Sequence, residues 1–214
     1  GVAAGKIQVV YNGVEDSGCC SNDAAKSNEE FTFANVGQFV PWKKQGLFIE
    51  AAEIVAKQLP GAKFILVGDD VFKRNVRYKN ELLESINTSG IAERIYLTGW
   101  ESDMTEIWPQ IDCLVHTADR EPFGRVIIEA MANGVPVIAV DSCGPGELIQ
   151  NEQRGILVEA DDPEGLSEAM TRIASMPELA KHLATEGREF VTANLTASKT
   201  AEQVAGIYNK IMEN

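Results

Sequence analysis

Short apolar, β-branched runs alternate with longer stretches of helical periodicity along most of this chain. Ile7–Tyr11, Phe31–Val36, Lys63–Val67, Ile95–Thr98, Cys113–His116, Val135–Ala139 and Gly155–Val158 have the length and composition of strands. The clearest helix between them is Gly46–Gln58, where Phe48, Ala52, Val55 and Leu59 recur at spacings of about one turn. Arg77–Asn87, Thr105–Gln110 and Arg125–Ala132 carry weaker versions of the same pattern. Gly37, Gly68 and Gly99 follow strands directly, the usual place for a tight βα turn. Such alternation predicts an α/β domain, a doubly wound, mostly parallel sheet with helices on both faces. Its ligands are expected at the carboxyl ends of the strands. After Val158 the pattern turns wholly helical, with Pro163 and Pro177 as first-turn prolines and a last helix over Ala197–Met212. Residues 12–30 are polar and turn-rich and read as a loop or linker.

Composition narrows the partners. The chain has 214 residues, 44% apolar and 24% charged, enough to bury a proper core. Its 19 basic and 32 acidic side chains leave a formal net charge of −13, which disfavours nucleic acid and anionic membrane as partners. An anionic ligand must then be held by local dipoles and a few placed cations. No apolar run approaches the ~20 residues that cross a bilayer. Cys19, Cys20, Cys113 and Cys143 form no C-x-x-C pair, so metal-ligand and thioredoxin-type readings fail, and a cytoplasmic location fits best. Cys113 lies in an apolar run and reads as core.

The richest stretch is EPFGRVIIE at 121–129, followed by AMANGVPVIA at 130–139. Gly124, at a loop-to-helix junction, lets backbone approach a ligand because it has no Cβ. The helix start offers unpaired N–H groups and the positive end of the dipole, which suit a phosphate. Glu129, about one turn in, is placed to accept hydrogen bonds from vicinal hydroxyls such as those of a ribose. An ordinary amphipathic helix with a solvated Glu129 explains the spacing equally well. The wider stretch resembles the E-x7-E region of the retaining GT-B glycosyltransferases of family 4, whose typical run is E-x-F-G-x-x-x-x-E-A-M-A-x-G-x-P-V-I-A. Residues 121–139 match it at every named position.

That resemblance implies roles for other residues. VGQFVPWKKQGLF at 36–48 is similar to the family's G-R-x-x-x-x-K-G, in which Arg and Lys bind the donor diphosphate. Lys43 stands on the lysine position and Gln38 on the arginine position, a departure, since glutamine cannot neutralise phosphate charge. Lys44 is a possible substitute cation pointing in another direction. The resemblance places Glu121 near the donor sugar; Arg125, directly after Phe123-Gly124, is within reach of a phosphate, and the amides of Val126 and Ile127 are helix-start donors for the diphosphate. Glu129 falls on the ribose, which tells against a glycosidase-like carboxylate pair. Gly99-Trp100 falls where the family contacts the base, with Trp100 itself reading as core. DSCGPGELI at 141–149 resembles a G-G-x-x-E loop near the sugar, with Cys143 replacing one glycine. Gly144 and Gly146 there permit an unusual backbone, and Glu147 caps or starts the helix that follows.

His116 reads as a satisfied structural histidine at the end of a buried strand, and His182 as a surface residue. There is no G-x-G-x-x-G after a strand, and Cys19 occupies the lysine position of a would-be P-loop at Gly13–Gly18. No D-x-D run suited to a divalent metal is present.

Taken together, the sequence predicts the Rossmann-like half of a GT-B fold with a helical C-terminal tail. Residues 1–30 are expected as an inter-domain crossover, since KIQVVYNGVED resembles the run by which these enzymes enter their second domain. Residues 31–214 are expected as the donor-binding domain, cut from a longer enzyme whose N-terminal domain holds the acceptor. The implied function is retaining sugar transfer from a UDP- or GDP-linked donor, with no other cofactor. Glu121 and Lys43 are its catalytic candidates, and the leaving phosphate takes the acceptor's proton. Partners would be the nucleotide-sugar and the acceptor domain, through which the enzyme could be membrane-peripheral. The competing readings are a GT-B sugar-nucleotide epimerase and a nucleotide-binding module without catalysis.

Overall fold

The computed structural model describes residues 7–15 and 30–213. Most of the predicted linker, and the Gly18–Cys19 part of the rejected P-loop, lie outside the described residues. Six strands, β1 (Thr32–Val36), β2 (Lys63–Val67), β3 (Ile95–Gly99), β4 (Cys113–His116), β5 (Val137–Val140) and β6 (Ile156–Val158), form one sheet in the order β3-β2-β1-β4-β5-β6. Every pairing is parallel, with Thr32 opposite Lys63 and Leu114 opposite Val137. The winding reverses between β1 and β4, which opens a crevice at their carboxyl ends.

Alternate residues of the strands other than the edge strand β3 feed two separate cores, as the pleat requires. Phe33, Phe64, Val115 and Ile138 pack with α1 (Gln45–Gln58), α2 (Val76–Thr88) and α5 (Pro163–Ser175). Ala34, Leu114, Val137 and Ala139 pack on the other face with α3 (Arg125–Ala132), α4 (Cys143–Ile149) and α6 (Pro177–Asn194). A last helix, α7 (Ala197–Met212), buries none of its residues fully. The Phe48, Ala52, Val55 stripe is wholly buried. Pro163 and Pro177 both open helices, where the missing N–H costs nothing.

Four expectations need correction. Ile7–Tyr11 is not a strand: Ile7 and Val9 are exposed, and only Val14 makes an isolated bridge, to Thr196. That segment has no sheet edge to pair with. Thr105–Gln110 contains only a 3-10 turn, Trp108–Gln110, because Pro109 lacks a donor and the stretch is too short to sustain an α-helix. The fifth strand starts at Val137 rather than Val135, because the Val135 N–H still caps α3 through the Ala130 carbonyl at 2.9 Å. Finally, 143–149 is itself a helix, so Glu147 lies inside it, and neither Gly144 nor Gly146 has a positive φ.

Gly144 is glycine because of space. A Cβ there would meet the Phe123 Cα and O at 2.5 Å, so α4 rests directly on the backbone of the 121–124 loop. Gly46, in the first turn of α1, has nothing within 4 Å of its would-be Cβ. The same substitution should therefore act in opposite directions. Gly144→Ala should lower stability in urea unfolding by about 2–4 kcal/mol. Gly46→Ala should raise it by about 0.5–1 kcal/mol through helix propensity.

Candidate functional site

The crevice at the β1/β4 reversal gathers residues far apart in sequence. After β1 the chain makes a 3-10 turn, Pro41–Lys43, and Lys44 enters α1 in a left-handed conformation. A polar ladder fixes this turn. Buried Asn35 donates from Nδ2 to the Val115 carbonyl at 2.8 Å and to Thr117 Oγ1 at 3.0 Å. The Thr117 hydroxyl in turn donates to the Lys43 carbonyl at 2.7 Å. Gln45, fully buried, donates from Nε2 to the Gln38 carbonyl and accepts from the Tyr78 hydroxyl, both at 2.8 Å. Lys43 is thus held by its backbone while its side chain reaches across.

What it reaches is Glu121. Lys43 Nζ lies 2.6 Å from Glu121 Oε2, and both side chains are largely buried. The other carboxylate oxygen, Oε1, accepts the Gly124 N–H at 3.1 Å. The Glu121 carbonyl accepts the Gly144 N–H at 3.0 Å. One residue therefore ties together the turn after β1, the approach to α3 and the start of α4. His116, buried at the end of β4, places Nε2 3.4 Å from the same Glu121 Oε2 without forming a hydrogen bond. The expectation of a satisfied histidine is corrected: this nitrogen has no hydrogen-bond partner among the described residues. Burial holds the imidazole below its usual pKa, outweighing the pull of Glu121. Burial pushes Glu121 the other way, but the Lys43 ammonium paired with it overcomes this and holds the carboxyl down at about 2.

The α3 start keeps the glycine turn that the sequence implied. Gly124, with φ 97°, turns the chain into the helix. The Ile127 N–H is already donated to the Gly124 carbonyl at 2.9 Å, and the Ile127 side chain is fully buried. Of the two amides expected to bind phosphate, only that of Val126, with Arg125 beside it, therefore lacks an intrahelical acceptor. The Arg125 side chain is exposed and pairs with Glu129, Nη2 to Oε1 at 3.2 Å. Burial raises the Glu129 pKa, and Arg125 counters it in part. Phe123 is half-buried and stacks on Tyr11 with ring centroids 5.6 Å apart.

The remaining candidates are spread around this centre. Gln38 is half-buried at the crevice rim. Lys44 points away, to Asp161 at 2.7 Å and Asp119 at 3.7 Å, and does not supply the missing cation. Gly99 ends β3 with φ 80° and its carbonyl accepts the Gly68 N–H at 2.8 Å. Trp100 beside it is 54% exposed, against the expectation of a core residue. A Trp after the last residue of an edge strand has no layer to bury it. Glu147 is exposed and accepts from the Tyr11 hydroxyl at 3.0 Å.

Comparison with known proteins settles the family. The sequence model of the family described as "Glycosyl transferases group 1" matches residues 21–190. The chain belongs to the group 1 glycosyltransferases. It is 31% identical over 155 residues to a lipopolysaccharide core biosynthesis glycosyltransferase of Rhizobium meliloti, covering 72% of this chain and 43% of that protein. Among solved structures, a glycosyltransferase from Rickettsia africae superposes with a TM-score of 0.88 at 25% identity, over 100% of this chain and 59% of that one. The Anabaena protein Alr3699/HepE, solved with UDP and glucose, superposes with a TM-score of 0.84 at 25% identity, over 94% of this chain and 56% of its own. The chain thus spans about half the length of these relatives, and its fold is that of the Rossmann-like domain of GT-B glycosyltransferases. No described helix is long and apolar enough to cross a membrane.

Sequence reasoning about this glycosyltransferase domain missed Asn35, Thr117 and Gln45. The signal for Asn35 was present, since a polar amide inside the apolar run FTFANV must find buried partners. Thr117 and Gln45 carried no comparable mark.

The depressed Glu121 pKa makes a prediction with a definite sign. The folded carboxyl titrates near 2 and the unfolded one near 4.5, so the unfolded state binds more protons between them. This contribution is present above about pH 4.5 and is lost as pH falls through the folded value, on the order of 3 kcal/mol in all. Urea unfolding of Glu121→Gln should show a stability curve flatter than that of wild type below pH 5. Parallel curves would mean that Glu121 carries no such linkage.

Proposed function

We propose that this domain is the nucleotide-sugar donor site of a retaining glycosyltransferase of the family 4 type. The observation that carries the proposal is the convergence of Lys43, Glu121 and the amide-bearing start of α3 at the sheet's switch point. Helix-start donors and an ammonium beside them form an anion site suited to a diphosphate. The UDP and glucose bound by the Anabaena structure support a nucleotide-sugar as the ligand.

In this reading the diphosphate meets the Arg125 and Val126 amides and Lys43, which stabilise the charge that develops as the sugar leaves. Glu121 faces the sugar hydroxyls. Glu129 takes the ribose diol after exchanging its Arg125 partner for it. The exposed Trp100 lies at the carboxyl end of β3, where a base can stack on it. Gln38 contributes a neutral hydrogen bond where relatives of this type carry an arginine, so Lys43 bears more of the phosphate charge. The leaving phosphate receives the acceptor's proton, and the acceptor is presented by a second domain of the whole protein. Orientation of two substrates across such a cleft supplies up to ~7–11 kcal/mol of the barrier, so residues 1–214 alone should bind donor without transferring sugar.

Calorimetric titration of residues 1–214 with UDP, GDP and ADP tests the site. One of these should bind, and Glu129→Ala should weaken it by about 1.5–3 kcal/mol through lost hydrogen bonds to the ribose. Affinity for the 2′,3′-dideoxy analogue of the same nucleotide should hardly change. Equal losses for both ligands would remove Glu129 from the ribose.

A further inference from the structure

Two nitrogens address one carboxylate oxygen in the crevice. Glu121 Oε2 has Lys43 Nζ at 2.6 Å and His116 Nε2 at 3.4 Å, while Oε1 is occupied by the Gly124 N–H. The histidine nitrogen has no hydrogen-bond partner among the described residues, although its side chain is only 2% exposed. An unpaired buried polar atom costs free energy, so a nitrogen left idle beside a carboxylate calls for a state in which it is used. Glu121 and Lys43 are the charged groups that act on His116, and its neighbour in β5 is the neutral Ala139.

Lys43 has two possible anionic partners, since the Gly124 amide at the approach to α3 binds the same carboxylate that the lysine does. A diphosphate at the helix start carries more charge than Glu121 and draws the ammonium toward itself. That move would strand a largely buried carboxylate without a cation, a costly state. We propose that Glu121 is passed from Lys43 to His116 when a diphosphate takes Lys43, with a proton from solvent entering at His116 Nε2. This rests on the donor-site reading above. The histidine then acts as a positioning residue: as imidazolium it keeps Glu121 ionised and in place beneath the sugar. Both electrostatic changes favour the added proton, because Lys43 repels a charge on His116 and an unpaired Glu121 attracts one. Donor binding at neutral pH is therefore coupled to proton uptake, and donor affinity should rise as pH falls toward 6.

The chain has two histidines, so each can be followed separately by long-range proton–nitrogen NMR as pH is varied. His182, exposed on α6, serves as the internal reference. In the free protein His116 should titrate below the ordinary imidazole range. In Lys43→Met, with no ligand at all, His116 should titrate measurably higher than in wild type, because a repelling charge is gone and Glu121 is left unpaired. Wild type saturated with pyrophosphate, UDP or GDP should show the same rise, while His182 stays put. An unchanged His116 in a folded Lys43→Met protein overturns the hand-over. So does a ligand that binds wild type and leaves His116 neutral, an arm that does not depend on the variant folding. If neither these three ligands nor ADP binds, the donor-site reading fails and the hand-over falls with it, an outcome distinct from binding without protonation.

Discussion

The contact on which this site depends is the buried ion pair between Lys43 and Glu121. It joins the turn after β1 to the loop after β4, the two segments that diverge where the sheet reverses its winding. A charge pair removed from water gains little net free energy, because desolvation offsets most of the attraction. Its consequence is geometric. Loss of either partner leaves the other uncompensated, so the two loops are locked into one relative position. The Gly124 amide and the Gly144 amide then attach to Glu121, and both neighbouring helices inherit their starting points from it.

Around that pair the structure separates holding from acting. Asn35 and Thr117 grip the backbone of Lys43, and Gln45 with Tyr78 grips the loop before it. None of these interactions uses the Lys43 ammonium, which stays available to exchange partners. Glu129 is in a similar position, paired on the surface of α3 with a largely exposed Arg125. An exposed pair of this kind contributes little stability, so its dissolution in favour of a ligand costs little. Lys43 and Glu129 are thus both engaged in pairs that a stronger partner can displace.

The N-terminal segment shows how a local pattern can be overridden. Ile7–Tyr11 has strand composition, yet a strand exists only where an edge accepts its hydrogen bonds. Both sheet edges, β3 and β6, are elsewhere, and the segment instead runs past the joint between α6 and α7. There Val14 donates to the Leu195 carbonyl and accepts from the Ala197 N–H, both at 2.9 Å, and Tyr11 stacks on Phe123. The segment so adds an aromatic wall beside the start of α3.

Period and punctuation in the sequence determined the sheet, its parallel sense and most helix limits. Strand residues of parallel sheets are buried on both faces, and the residues that interrupt them are few and distinctive. Lys63–Val67, Cys113–His116, Arg125–Ala132 and Ala197–Met212 were legible to the residue for that reason. The E-P-F-G-x-x-x-x-E run likewise marked the glycine turn and the start of α3, because a glycine turn into a helix is a local event. What the sequence left open was every relation between distant segments. That Lys43 and not Lys44 faces the crevice follows from the left-handed Lys44 and the ladder from Asn35. Gly144 is required by the backbone of Phe123, and Trp100 is left bare because β3 is an edge. The idle nitrogen of His116 is visible only once three dimensions place it on the oxygen that Lys43 already holds. Hydrophobic periodicity is written along the chain, whereas the pairing of buried charges depends on which loops the fold brings together.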